Sequence, residues 1–209
     1  MAYAVKELFY TLQGEGVQAG RAAVFVRFAG CNLWSGREAD RAAAACRFCD
    51  TDFVGTDGPG GGRFDDAGAL ARAAVEAFRG PGRPFAVLTG GEPLLQVDET
   101  LTSALHAEGF EIAVETNGTK PRPPGLDWVC VSPKASAPLV LTEGDELKLV
   151  YPQPEAPPER FEGLNFRHFL LQPMDGPRLA EATRACIDYC LTHPRWRLSV
   201  QMHKIVGIR

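Results

Sequence analysis

Hydrophobic and polar positions alternate cleanly along residues 23–30. Val24, Val26 and Phe28 fall on one face, and Ala23, Phe25, Arg27 and Ala29 on the other. That period of two marks a β-strand. Runs at Phe85–Gly91, Phe110–Gly118, Asp127–Lys134, Glu146–Tyr151 and Arg167–Met174 predict further strands, and Trp196–Val206 a last one. Residues 3–18 read as an irregular strand and loop that turns at Gln13–Gly16. Helical spacing recurs elsewhere. Leu70, Ala73, Ala74 and Ala77 make one face of a helix capped by Asp65 or Asp66, running to about Phe78 and stopped by Gly80–Gly82. A second helix covers Asp98–Ala107 and ends at Gly109; the clearest covers Arg178–Thr192. A helical turn is expected at Ala42–Ala45, and the glycine-rich Gly55–Arg63 reads as a flexible linker. The Pro-rich connections at 121–124 and 152–158 are too short or too broken for full helices.

Strand after strand with helices between predicts a parallel α/β sheet or barrel. Polar groups then recur at one place, the C-terminal end of each strand: Cys31, Thr89–Glu92, Glu115–Asn117, Ser132–Lys134 and Gln172–Asp175. In parallel barrels and open sheets that edge carries the active site.

Composition narrows the picture slightly. The 209 residues suffice for one domain with a buried core, and 45% hydrophobic with 23% charged residues is ordinary for a soluble globular protein. A net charge of −4 and a pI near 5.6 argue against a broad nucleic-acid footprint. No stretch reaches the length of a membrane span. Lys6 and Glu7 sit where a secretion signal needs an apolar run. A cytoplasmic location is therefore expected, where spaced cysteines are better read as metal ligands or catalytic groups than as disulfides.

Three of the six cysteines are Cys31, Cys46 and Cys49, with fourteen residues between the first two and two between the last two. A C-x-x-C pair plus an outlying cysteine on a loop after a strand is a metal-site pattern. Three thiolates leave one coordination position open. A structural zinc site wants four protein ligands, and His106, His168, His193 and His203 all lie far from the loop in sequence. An iron–sulfur cluster is the stronger reading. Cys130 falls mid-strand and reads as core. Cys186 and Cys190 sit one turn apart on a helix and read as apolar-face residues.

Other candidates carry two readings each. The glycines of Thr89-Gly-Gly-Glu-Pro93 admit a ligand close to the backbone, with Glu92 able to accept from an ammonium group; a plain strand–turn–helix has the same pattern. Arg27, a charge in an apolar strand, needs an anionic partner. That partner is either a ligand carboxylate, which the guanidinium fork grips bidentately, or an internal acid such as Glu15. Glu115 at a strand end suits ribose hydroxyls, whereas Asn117-Gly118 is turn chemistry. Asp50-Thr51-Asp52 offers oxygens to Mg²⁺, or simply caps and turns.

Taken together, Cys31-x14-Cys46-x2-Cys49, Gly90-Gly-Glu-Pro93 and Leu12-Gln-Gly-Glu-Gly16 resemble the radical S-adenosylmethionine (SAM) superfamily. Within it they are similar to the 7-carboxy-7-deazaguanine synthases of 7-deazapurine (queuosine) biosynthesis. The resemblance covers nearly the whole chain, including Glu115–Gly118, Val131–Lys134, Gln172–Asp175 and the tail Gln201–Lys204. Most of the superfamily has a shorter gap between the first two cysteines; a subset of these synthases carries the longer insert.

The resemblance implies an incomplete (β/α)6-type partial barrel, strand-rich with few helices, as one domain over 1–209. Its parts would be an N-terminal substrate segment (1–22), the cluster loop and insert (31–64) and a C-terminal strand and tail (196–209). It implies that Cys31, Cys46 and Cys49 ligate a [4Fe–4S] cluster whose open iron is chelated by SAM. Phe48, Cys49 and Asp50 would lie against SAM, with Gly91 and Glu92 near its methionine end. Glu115, Ser132, Pro133, Lys134, Gln172, Pro173, Met174 and Asp175 would hold the rest. Leu12, Gln13, Gly14, Glu15, Arg27 and Thr89 would bind 6-carboxy-5,6,7,8-tetrahydropterin, with His203 and the terminal carboxylate of Arg209 at the pterin edge. Thr51 would bind Mg²⁺. A 5′-deoxyadenosyl radical would abstract the substrate hydrogen, the ring would contract with loss of ammonia, and SAM would be regenerated. A flavodoxin-like electron donor is implied, and a homodimer is compatible with the apolar ends of the chain. One rival is an activase acting on a partner protein's glycine, against which residues 12–16 and Arg27 argue. The other is a zinc-stabilised binding module, which leaves the repeated strand-end polar residues without a purpose.

Overall fold

The computed structural model of the chain describes residues 2–135 and 137–209. Among them, nine strands form one open sheet. In chain order these are β1 (Tyr3–Leu12), β2 (Ala22–Phe28), β3 (Gly62–Phe64), β4 (Phe85–Gly90), β5 (Glu111–Thr116), β6 (Trp128–Val131), β7 (Glu143–Tyr151), β8 (Asn165–Pro173) and β9 (Trp196–Leu198). The order across the sheet is β3-β1-β2-β4-β5-β6-β7-β8-β9. From β2 through β9 every neighbouring pair is parallel; β1 and β3 extend one edge antiparallel. Helices α1 (Ala67–Ala77), α2 (Glu99–Ala107) and α3 (Leu179–Thr192) pack on the sheet, and α4 (Met202–Val206) is a short helix in the tail. Asp66 and Asp98 cap α1 and α2, accepting from the Ala69 and Leu101 N–H groups at 2.7 and 2.9 Å. Among the described residues no helix separates β5 from β6 or β6 from β7, and only a 3-10 turn at Pro158–Arg160 lies between β7 and β8. The result is a strand-rich α/β sheet consistent with a partial barrel. Among the described residues no helix is long and apolar enough to cross a membrane.

Side-chain alternation separates core from site. Val24, Val26 and Phe28 of β2 join Ala86, Leu88, Ile112, Val114, Val129, Val131, Leu147, Leu149, Phe169 and Leu171 in the helix-covered core. The other face is apolar low on the strands, where Ala23, Phe85, Val87 and Ala113 cluster with Phe25 and Trp128. It turns polar toward the C-terminal ends, at Arg27, Thr89, Glu115, Glu146, Lys148 and Gln172. A period of two fixes this division, and the register keeps it: Arg27 pairs with Thr89, Glu115 with Cys130, and Cys130 with Glu146.

β1 is the irregular strand expected, ten residues long. A bulge between Val5 and Glu7 shifts its alternation by one residue, so Tyr3 and Val5 but then Leu8 face the core. Three sequence expectations need correction. The last strand is short: β9 stops at Leu198, and 202–206 is helical. There the chain leaves β8, and the Met202 N–H donates to the Gly14 carbonyl instead. The helical turn in the insert spans Glu38–Ala43 as a 3-10 helix, not Ala42–Ala45. Gly55–Arg63 is packed rather than a free linker. The Leu8 N–H donates to the Pro59 carbonyl at 2.8 Å and the Gly58 N–H to the Lys6 carbonyl at 2.9 Å. A Cβ on Gly60 (φ 66°) or Gly61 would collide with those β1 carbonyls, so the glycines serve close approach.

Candidate active site

Two adjoining cavities open at the C-terminal ends of the strands, one of about 510 Å³ and one of about 160 Å³. Glu15, Asp50, Thr51, Thr89, Glu115 and Gln201 line both. The larger lies over β1, β2 and the tail. On its floor Phe9 and Phe25 stack 5.5 Å apart. Arg27 donates through Nε to Glu7 at 2.8 Å, and Arg209 reaches the other oxygen of Glu7 at 2.8 Å while lying over the Phe9 ring. Glu7 is thus the internal acid that orients Arg27; Glu15 is engaged elsewhere. His203 covers Gly14 so closely that a Cβ there would strike the imidazole ring. Burial holds His203 below its ordinary pKa, favouring the neutral ring.

A buried polar cluster separates the cavities. Lys148, on β7, donates to Glu15 at 2.6 Å and to Glu115 at 2.8 Å. Glu146, two residues earlier and 1% exposed, accepts from the Val17 N–H at 2.7 Å and the Trp128 indole at 3.2 Å. Gln13 donates to Glu115 at 3.0 Å. Burial works against the Glu15 charge, yet Lys148 holds its carboxyl down, from 4.5 to about 2. The same burial prevails at Glu115 and pushes its carboxyl up. A lowered folded-state pKa adds stability that is full above the ordinary value and fades as pH falls toward the lower one. The stability difference between wild type and Glu15→Gln, read from denaturant melts, should therefore shrink as pH drops from 4.5 toward 2.

The cysteine loop follows β2. The β-carbon of Cys31 lies against Gly91, where any side chain would collide with it and with the Gly30 carbonyl. The Cys46 and Cys49 thiols act on one another as close neighbours. This pushes Cys46 far up and draws Cys49 down to about 6 against the opposing effect of burial. The 32–45 insert is a compact hook. Trp34 is buried edge-on against Phe53 at 5.6 Å, and the Arg41 guanidinium lies 4.0 Å over Trp34. Arg41 donates to the Arg47 and Cys49 carbonyls, both at 3.0 Å, which ties the insert to the Cys46–Cys49 segment. Among the described residues, Glu115, Cys130 and Glu146 form the only metal-type trio whose ligand atoms lie within 4.8 Å of one another. The three loop thiols do not converge as one tetrahedral zinc ion requires.

Glu92 is fully buried and its carboxylate braces two backbone donors and one hydroxyl. It accepts from the Leu94 N–H at 3.0 Å, the Thr116 hydroxyl at 2.7 Å and the Asn117 N–H at 2.8 Å. Burial pushes the carboxyl up while those donors pull it back. Glu92→Ala strands three donors and should destabilise the fold by about 3 kcal/mol, seen as a lower urea midpoint at unchanged m-value.

The profile of the radical SAM superfamily matches residues 40–188, a span that takes in Cys46 and Cys49 and begins inside the insert. The chain is 65% identical over its whole length to a 7-carboxy-7-deazaguanine synthase of Bordetella pertussis, and 67% identical to one of Bradyrhizobium diazoefficiens, each relative also covered completely. A crystal structure of QueE from Escherichia coli superposes with a TM-score of 0.73 at 30% identity, over 97% of this chain and 95% of that one. This chain belongs to the 7-carboxy-7-deazaguanine synthase family of radical SAM enzymes.

The residues expected of such a synthase gather in the two cavities. Leu12, Gln13, Gly14, Glu15, Arg27, Thr89, His203 and Arg209, expected at the substrate, all line the larger. Phe48, Cys49, Asp50, Gly91, Glu115, Ser132, Lys134, Gln172, Pro173 and Asp175, expected at SAM, line the smaller, and Thr51 lines both. Cys31, Cys46, Glu92, Pro133 and Met174 line neither. Asn117 makes the turn expected of it, accepting from the Thr119 N–H at 3.0 Å, while Asp52 caps the Val54 N–H and pairs with Lys6. Cys130 and Cys186 are buried, and all six cysteines are free.

Sequence reasoning passed over Glu7, Glu146, Lys148, Ser199 and Lys204. Glu146 and Lys148 carried the same mark as Arg27, charges two apart in an otherwise apolar strand. Lys204 bridges Asp50 and Asp175 at 2.5 and 2.6 Å, a contact between distant segments that no local pattern announces.

Proposed function

We propose that this chain is a 7-carboxy-7-deazaguanine synthase that converts 6-carboxy-5,6,7,8-tetrahydropterin to 7-carboxy-7-deazaguanine and ammonia. The observation that carries the reading is the pair of adjoining cavities lined by the two expected residue sets. The conversion is balanced without net oxidation, since loss of ammonia accounts for the whole difference between substrate and product. The donor set fits the cofactors. Three loop thiols, with Cys31 against Gly91 and Cys49 in the same cavity lining as Gly91, suit a cluster with one open iron. In the smaller cavity the acids Glu15, Asp50, Glu115 and Asp175 outnumber Lys134 and Lys148, an acidic lining that suits a sulfonium cation. Cys31, Cys46 and Cys49 would hold the cluster and the smaller cavity would hold SAM, and together these groups would supply reversible hydrogen-atom abstraction at the carboxylate-bearing carbon.

The chain's own residues bind and orient. Arg27, held through Nε by Glu7, turns the rest of its guanidinium to the substrate carboxylate. Gln13, Gly14, Thr89 and a neutral His203 grip the pterin, with Arg209 at its edge. Gly90 and Gly91 let SAM approach the backbone, and Ser132 fixes Lys134 at 2.5 Å beside it. Thr51, at the seam of the cavities, holds Mg²⁺ against the substrate, where the ion neutralises and orients. One sheet spanning β1 to β9 supports a single domain. The electron donor is a flavodoxin-like protein, the enzyme works in the cytoplasm, and the exposed apolar tail suits a homodimer. A metal series tests the Mg²⁺ site. Chelation should slow turnover and added Mg²⁺ restore it, whereas Thr51→Ala should raise the Mg²⁺ needed for half-maximal rate by about tenfold. Turnover indifferent to chelator would remove Mg²⁺ from the account.

A further inference from the structure

We infer that Lys148 is a positioning residue that makes the pterin seat and the SAM seat interdependent. Its side chain is almost entirely buried, on β7, in the wall between the cavities. One ammonium group holds two carboxylates from different elements, Glu15 of the loop after β1 at 2.6 Å and Glu115 at the end of β5 at 2.8 Å. Both carboxylates line both cavities. A shift of either one moves the ammonium and hence the other, because a buried charge cannot be left unpaired without a large cost.

The loop bearing Glu15 has few other freedoms. Glu146 pins the Val17 N–H at 2.7 Å, and Gly16, at φ 71°, packs against the Glu146 carboxylate where no β-carbon fits. Ser199 accepts from the Gly16 N–H at 3.0 Å, and Gln201 donates to Glu15 at 2.9 Å. The segment that presents Gln13 and Gly14 to the substrate is thus stiff, and it meets the SAM side through the shared ammonium and, beside it, the Gln13–Glu115 hydrogen bond. A ligand that settles Glu115 also settles Glu15, so each ligand should tighten the other by the same factor, as linkage requires.

The inference rests on the substrate reading above, and the test separates the two. Calorimetry on cluster-loaded protein without reductant measures pterin affinity with and without SAM. Wild type should bind the pterin about tenfold more tightly with SAM present. In Lys148→Met, with iron content and far-UV circular dichroism unchanged, that factor should fall to about one; Lys148→Arg should recover part of it. If Lys148→Met does not fold, Glu15→Gln takes its place and should lose the factor likewise. A full wild-type factor in Lys148→Met, or in Glu15→Gln where that variant takes its place, overturns the inference, as does wild type that binds pterin equally with and without SAM. Wild type that binds SAM and no pterin overturns the substrate reading and this inference with it.

Discussion

Cys31→Ala should abolish turnover and lower the iron content of anaerobically reconstituted protein. Cys31 supplies one of three thiols, and no histidine or fourth cysteine of the loop stands in reserve. Losing a direct ligand should cost more than the roughly 10–100-fold in metal affinity that losing an outer partner costs. Cys190→Ala makes the control. It lies on α3 and packs at the edge of the helix-covered core, so its variant should keep iron, colour and rate. A Cys31→Ala protein that stayed brown and active would move the cluster elsewhere.

Arg27→Ala should raise the KM for the pterin by roughly ten- to a hundredfold while leaving kcat within a few-fold. A hydrogen bond to a charged group contributes about 1.5–3 kcal/mol, and each 1.4 kcal/mol is a factor of ten. The contact is made in ground and transition state alike, so its loss falls on KM. Glu7 keeps Arg209 as a partner at 2.8 Å, which limits the damage to the fold. Initial rates over a substrate series check this. A KM unchanged in Arg27→Ala would mean the carboxylate is held by another cation.

Much of the fold was legible because β2 and β4–β8 follow simple rules. Each is an apolar run, and Asp66 and Asp98 mark the starts of α1 and α2. Reading failed where long-range contact overrides local pattern. The tail turned from strand to helix once Met202 bonded back to Gly14. The glycines of 58–61 signalled close approach to β1, which from sequence is indistinguishable from flexibility. The site divides the same way. Strand-end polarity located the cavities, but the partners of each charge lay beyond the reach of spacing. Glu7, not Glu15, holds Arg27, because Lys148 takes Glu15. Glu92, read as facing an ammonium, also braces three donors of the chain itself, which spacing could not announce. The 32–45 insert, shapeless in sequence, is ordered by Arg41 stacked on Trp34.

The measurement that bears most directly on the synthase reading is a single anaerobic assay. Protein reconstituted with iron and sulfide, then given SAM, a reductant, Mg²⁺ and 6-carboxy-5,6,7,8-tetrahydropterin, should be brown and should release 7-carboxy-7-deazaguanine and one ammonia per substrate consumed. SAM should be recovered rather than spent in proportion to product. A colourless protein that binds one zinc ion would contradict the cluster, and a brown, SAM-binding protein that leaves the pterin unchanged would contradict the reaction.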